Sequence, residues 1–572
     1  MRFLPKKFEK GAVNEMKNPS LKTMMNRIGT FLIDNHRNVK NAVLPTLVVT
    51  AVFFVNYFFF GMDNTIIGPC LVLSFLEYSG MSKSFCSMFK TLLVYEITAV
   101  AAWAAGFGPA ACVVVNAAFF FWNIYFRADD NHPDNYYTPG MLFILFQLFP
   151  VSEFGDVLIR VEALGASFAV TGIFLVFLQS RPKRHTIKDN VADAFEISDQ
   201  LLAACESGDE TNVQVCREQL RQKNETISDE LYLNNYAAFG SRSRGNWYCR
   251  FVALFDMFAG FSQELGRGDA EKDAEKLNQM TNLNQNFKTL FMKGNRCDTR
   301  ENLKFHPLKR GLGSRDLRFA LQQVIALTPC MLWAFYCPVG NGFWLPVSVY
   351  YMLVPFREKI GKRVGGRLAG TLAGLVLCAV LYTIFPSLSA HIVILVVLNF
   401  LINSASGYEV QVAYLTCAIL ALGITTENLA ATLFERLIYT LIGAGITLFV
   451  SRFVFPTDIH SEMAYLKTQL SGLEEQMLLV DEKGKNHTAV GQDEKDRLLV
   501  QSYVLCRRLR LYNESLSEEE RDPNLYEKLD DHMVRMSYFL AHHFVGVPVK
   551  EVQDRSVNMP EAQHRGCGYA GC

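Results

Sequence analysis

Two long stretches of this chain, residues 41–180 and 319–455, are strongly apolar, while 181–318 and 456–572 carry most of the charge. That segregation constrains the fold more than any single motif. The polar remainder of one soluble domain cannot wrap runs of this length. In a bilayer every backbone polar group must be satisfied within the protein, which leaves helices or closed barrels. The runs divide into pieces near the ~20 residues that a helix needs to cross hydrocarbon. They fall at about 40–60, 64–80, 88–106, 109–126, 138–152 and 158–178, then at about 319–338, 341–356, 366–386, 389–406, 410–425 and 432–453. The expected fold class is therefore all-α: a polytopic membrane protein with two six-helix transmembrane repeats, each followed by a cytoplasmic helical domain. The expected segments are 1–39 (cytoplasmic), 40–180 (first repeat), 181–318 (helical domain), 319–455 (second repeat) and 456–572 (helical domain and tail).

Charge distribution sets the expected orientation. Lys83, Lys90, Arg127, Arg181, Lys183 and Arg184 fall in one set of loops and helix ends, and "REKIGKR" (357–363) falls on the same side. The opposite loops, "FFFGMDN", "AGFGP", "PVSEFGD", "CPVGNG", "FPSLSAH" and "GITTEN", hold no Lys or Arg. Basic residues favour the cytoplasmic side, so both termini and both charged segments are expected there, in a multi-pass protein of a bacterial inner membrane. The 56 basic and 56 acidic residues balance, so net charge gives no reason to expect nucleic acid as a partner. The 14 cysteines include Cys70, Cys112, Cys330, Cys378 and Cys417 inside apolar runs, which reads as packing. Cys567 and Cys572 read as part of a tail. No metal and no cofactor are expected. The roughly 37 mixed residues ahead of the first apolar run do not resemble a secretory signal.

The two apolar halves overlay on each other. Pro69 falls on Pro346 at an offset of 346 − 69 = 277, and the same offset puts Lys90 on Arg367 and Arg160 within one residue of Arg436. Both halves enter from the same side, so the repeat is parallel, with its axis along the membrane normal. Gly366, Gly370 and Gly374 follow at i, i+4 and i+8 and mark one smooth face where another helix can approach closely.

"FWLPVSVYYMLVPF" followed by "GRLAGTLAGLVL", and the "ERLIYTLIGAGI" of the last apolar run, resemble the fusaric acid resistance-like, or aromatic acid exporter, family. There an aromatic–Trp–Leu/Val–Pro span leads through a basic loop into R-x-x-G-T-x-x-G, here Arg367, Gly370, Thr371 and Gly374. Its last-helix pattern is matched by Glu435, Arg436, Thr440 and Gly443. The first half departs from the pattern, with Lys90, Leu93 and Val94 where Arg, Gly and Thr stand. The resemblance implies efflux of aromatic carboxylic acids or other small organic anions, driven by the proton gradient. It also implies a periplasmic membrane-fusion adaptor as a partner.

Charges inside apolar helices are the candidate site residues, because a central charge costs at least about 2.5–3.5 kcal/mol and normally faces a cavity or a partner. Arg160 beside Glu162 and Glu435 beside Arg436 occupy matching repeat positions. They read either as Arg–Glu bridges pinning helices or as guanidiniums that attract a carboxylate. Arg363 and Arg367 lie where a cytoplasmic anion would enter. Phe343 and Trp344 are candidates for stacking on an aromatic substrate. Glu96, a lone acid in an apolar helix, joins Glu162, Glu435 and His391 as a candidate for proton coupling. Gly443, with the three glycines above and Thr371, is assigned to helix packing.

The charged segments read as amphipathic helices. They contain no P-loop, dinucleotide fingerprint, G-x-S-x-G or H-E-x-x-H; His542-His543 alone is a weak metal signal, and Asn224-Glu-Thr is a sequon inert in a cytoplasmic segment. An enzyme is not expected. A proton-coupled exporter, a gated anion channel and a membrane scaffold remain as readings, in a homodimer or larger assembly within the lipid bilayer.

Overall fold

Polar side chains are buried among apolar ones in the interior of this protein, and large apolar ones also stand on its outside. Asn56, Thr98, Asn116, Asn123, Ser167, Thr371 and Thr440 are fully buried, while Phe434, Phe449, Phe453, Ile173 and Val376 are exposed. Such an inverted surface suits hydrocarbon. The computed structural model describes residues 39–79, 84–127, 136–179, 187–237, 242–264, 270–293, 315–336, 342–385, 387–423, 429–485 and 492–516, with parts of 518–539. Cys567, Cys572, His542 and His543 lie outside them. Among the described residues there is no strand.

The first apolar half forms α1 (Val39–Phe59), α2 (Ile67–Ser79), α3 (Ser84–Ala105), α4 (Pro109–Arg127), α5 (Tyr137–Leu148) and α6 (Phe154–Gln179). The charged segment after it gives α7 (Ile187–Ser207), α8 (Glu210–Ala237), α9 (Arg242–Glu264) and α10 (Ala270–Lys293). The second half forms α11 (Arg315–Tyr336), α12 (Trp344–Met352), α13 (Arg357–Ile384), α14 (Leu388–Ser404), α15 (Tyr408–Gly423) and α16 (Leu429–Phe453), followed by α17 (Ile459–Lys485) and α18 (Gln492–Ser515).

Seven of these helices, α1, α3, α4, α6, α11, α13 and α16, contain a segment long and apolar enough to cross a membrane. The other five in the apolar halves are shorter than that, at 13, 12, 9, 17 and 16 residues. The expected span at 341–356 holds a helix of 9 residues, about 13 Å long, because Pro355 and the extended Leu353 stop it. α5 has 12 residues and ends just before Pro150. Non-helical backbone at membrane depth is tolerated only when protein surrounds it. Accordingly α12 is buried at every residue from Trp344 to Tyr350, and α5 at most of its length.

The same helix pairs pack in both halves. α1 meets α2 and α6, α2 meets α6, and α3 meets α5 and α6; α11 meets α12 and α16, α12 meets α16, and α13 meets α15 and α16. The halves join reciprocally, α4 on α11 and α14 on α1. Tyr350 adds a polar tie by donating to the carbonyls of Tyr136 and Tyr137 at 2.9 and 3.0 Å.

The two charged segments share one apolar core. Phe195, Phe251 and Phe255 from the first pack with Leu466, Leu505 and Leu509 from the second, and Tyr503 donates to the Ser228 carbonyl at 2.6 Å. Asn224 of the sequon is buried and uses its amide nitrogen on the Val252 carbonyl and Asp256. The junction with the membrane half is tied at the starts of α13 and α17. Phe356 enters the charged segments' core. Thr457 donates its hydroxyl to the Pro355 carbonyl, the Arg357 amide donates to Thr457 O at 3.1 Å, and the Ile459 amide donates to Glu358 at 3.1 Å.

α13 and α15 touch through the three glycines. A Cβ at Gly370 would lie 2.5 Å from the Glu409 carbonyl oxygen, and one at Gly374 would lie 2.5 Å from that of Ala413. Overpacking of this kind costs roughly 1–3 kcal/mol. Gly370→Ala should therefore lower the thermal unfolding temperature in detergent, whereas Gly365→Ala, which meets nothing within 4 Å, should leave it unchanged or raise it.

A second outcome concerns acid. The hydrogen bond from buried His532 (2.8 Å) holds the Glu474 carboxyl below its ordinary 4.5. A lowered carboxylate contributes stability that is complete above the unfolded value and is lost as pH falls through the folded one. The stability gap between wild type and Glu474→Gln should thus be largest above about pH 4.5 and shrink below it; equal gaps at all pH values would refute this.

Candidate functional site

α12, α13 and α16 pack against one another, and the polar side chains that converge where they meet are sequestered. Gly443 lets α12 lie close on α16: a Cβ there would stand 3.0 Å from the Cβ of Ser348. On α13 the glycines face α15. The residue after each glycine is turned about 100° around the helix, which brings Arg367 and Thr371 onto the next face. Trp344 and Ser348, four residues apart, share a face of α12 in the same way.

Arg367 is 1% exposed and Arg436 0%. The three guanidinium nitrogens of each have no hydrogen-bond partner among the described residues, and neither do Ser348 Oγ, Thr371 Oγ1 or Trp344 Nε1. Each guanidinium lies over an aromatic ring, Arg367 at 4.3 Å from the Tyr351 centroid and Arg436 at 4.1 Å from that of Trp344. Stacking covers the guanidinium face but leaves its in-plane N–H edge unused. Among the described residues neither arginine forms an ion pair with a carboxylate. A buried cation without counter-charge is costly. The arrangement is suited to taking up an anion.

Arg160 shows the opposite arrangement. It is equally buried, yet it donates to the carbonyls of Phe146 (3.1 Å) and Phe149 (2.8 Å) and to Asn64 Oδ1 (3.3 Å). It closes the carbonyl end of α5 and does not bridge to Glu162, which is exposed on α6. The Arg–Glu bridge expected for this pair is therefore replaced by backbone contacts, since those carbonyls lie within reach and the carboxylate points outward. Arg436 likewise makes no bridge to Glu435, its half-buried neighbour.

Of the remaining residues, Arg363 lies one turn before Arg367, donates to the Tyr351 carbonyl at 3.3 Å and stacks 3.9 Å over Tyr408. Phe343 is half-buried with its ring 4.4 Å from that of Trp344. His391 stands near the start of α14. It is buried against Tyr382, and its Nε2 is without a partner among the described residues. Glu96 is half-buried on α3, in the other half from the two arginines. The sequence reading did not single out Ser348, Tyr351 or Tyr408. None of the three is itself charged, and Ser348 and Tyr351 lie in an apolar run, although Ser348 follows Trp344 at the helical spacing of four.

Residues 329–450 match the family described as fusaric acid resistance protein-like. The match runs from within α11 almost to the end of α16, so it contains Trp344, Ser348, Arg367, Thr371 and Arg436. It points to a membrane transporter of efflux type. No curated protein and no solved structure matches the chain.

The contrast between the arginines gives a stability outcome. Arg160→Met orphans buried carbonyls, at about 1–3 kcal/mol, and should lower the unfolding temperature. Arg436→Met removes a buried charge without a counter-ion, a change worth between nothing and ~4 kcal/mol of stabilisation. It should leave the unfolding temperature of anion-free protein unchanged or raised. A fall in both would show that Arg436 is held by contacts like those of Arg160.

Proposed function

We propose that this protein is a membrane carrier that exports small organic anions, with aromatic carboxylates as the first substrate class. The observation that carries this is the pair of buried guanidiniums, Arg367 and Arg436, without hydrogen-bond partners among the described residues and backed by Tyr351 and Trp344. A carboxylate accepts two parallel N–H bonds from such a fork. Burial of the site favours a carrier over an open pore, because an anion cannot reach it from either side without helix movement. The family match supports a transporter of efflux type, and the resemblance noted in the sequence implies the aromatic class.

The membrane unit is two parallel six-helix repeats, a reading supported by the recurring helix pairs. Only the second repeat keeps the anion site: Ile67, Leu71, Lys90 and Val94 occupy the places of Trp344, Ser348, Arg367 and Thr371 at the 277-residue offset. Loop charge supports placing both termini and the joint helical core of the charged segments in the cytoplasm, and the membrane is then the bacterial inner membrane. The proton gradient drives export, with Glu96, Glu162, Glu435 and His391 as the residues to test. A homodimer or larger assembly and a periplasmic adaptor complete the proposal.

The test is efflux of a labelled hydroxybenzoate from energised cells, comparing wild type with Arg367→Ala at equal membrane abundance, with and without an uncoupler. Export that falls with the uncoupler and drops at least about tenfold in the variant, the loss of one charge-assisted contact, is the expected result. Flux that follows the anion's own gradient regardless of uncoupler would replace the carrier by a channel. No flux in either protein would remove the aromatic class.

A further inference from the structure

The charge at the site says more than its sign. Arg367 and Arg436 bring two buried positive charges onto helices that pack against each other, and both stack on rings of α12, Tyr351 and Trp344, which stand seven residues, about 10 Å, apart along it. The polar side chains beside them that lack partners, Ser348, Thr371 and Trp344, are neutral. Among the described residues neither guanidinium has a hydrogen-bond or ion-pair partner, the neighbouring Glu435 included. Arg363, one turn nearer the junction, already uses the Tyr351 carbonyl and the Tyr408 ring.

A bound monoanion would leave one guanidinium uncompensated in a water-poor interior, where net charge is expensive. A ligand with two negative charges brings the sum to zero. The two arginines come from different helices, α13 and α16, and are backed by different rings. Their N–H edges are therefore two separate forks rather than one shared one.

We propose, on the basis of the anion-carrier reading above, that the site selects a doubly charged organic anion, a dicarboxylate or an equivalent dianion, with one acidic group on Arg367 and the other on Arg436. The neutral donors Ser348, Thr371 and Trp344 complete the shell around the two acidic groups. The chemical class thus differs from a simple monocarboxylate by one negative charge, and the discrimination is electrostatic.

The test is equilibrium binding to the full-length protein in detergent at neutral pH, by titration calorimetry. The probes are the three benzenedicarboxylates (ortho, meta and para) and, as size-matched monoanions, their monomethyl esters. At least one dicarboxylate should bind about ten- to hundredfold tighter than its ester, the worth of one further charge-assisted contact. Arg367→Gln and Arg436→Gln should each bring that ratio to about one. Arg367→Lys, which keeps the charge and loses the fork, should retain part of it, which separates charge from folding damage. Lys90→Gln, at the equivalent place in the other repeat, should leave the ratio unchanged. Equal binding of diacid and ester, or two ester molecules bound per site, would overturn the dianion proposal and leave the carrier reading intact. Absence of binding by every probe to monodisperse, cooperatively unfolding protein would overturn both.

Discussion

The close approach of α13 and α15 through Gly366, Gly370 and Gly374 fixes the rotation of α13, and the site depends on that rotation. Backbone carbonyls of Glu409 and Ala413 lie where Cβ atoms would otherwise stand. With the glycine stripe committed to α15, Arg363, Arg367 and Thr371 form the parallel stripe one residue on. Gly443 does the same for α12 on α16 and places Ser348 and Trp344 opposite. Small residues thus act at a distance: they bind nothing themselves but decide which side chains meet. In a lipid environment this is how helices associate, because packing and hydrogen bonds replace the hydrophobic drive.

The two apolar halves share a packing scheme and differ in chemistry. Arg160 spends its donors on carbonyls at the end of α5, which stabilises a helix too short to span alone. Arg436, one residue away in the overlay, spends none among the described residues. The first half also supports the second mechanically. Tyr350, next to the ring that stacks on Arg367, is anchored on the first turn of α5, where only glycine fits at position 140: a Cβ there would meet the Tyr350 hydroxyl. The first half thereby positions the α12 rings that back the arginines of the second.

The charged segments are separated by the whole second apolar half, yet they build one core, and that core reaches the membrane half through Phe356. The same linker carries α12 into α13, and the start of α17 is bonded to it at Pro355, Arg357 and Glu358. Movement of the helical core would be felt directly at both elements that present the site.

The sequence by itself determined the helical class, the division into two apolar and two charged regions, the 277-residue offset, and the unusual positions of Arg160, Arg367 and Arg436. Hydropathy and helical spacing are local properties, and a charge in an apolar run is visible without any fold. Helix lengths were less legible, since α5 and α12 look like spans in composition and are cut short by prolines and by burial on all sides. Only the tertiary structure decided which arginines stay without hydrogen-bond partners. Hydrogen bonding depends on which carbonyls come within about 3 Å, and Phe146, Phe149 and Asn64 reach Arg160 only through packing of α5 and α6 with the turn after α1. It likewise decided that Tyr351 and Trp344 back the two guanidiniums and that the charged segments share a core, because contacts between residues on different helices are set by how helix faces pack.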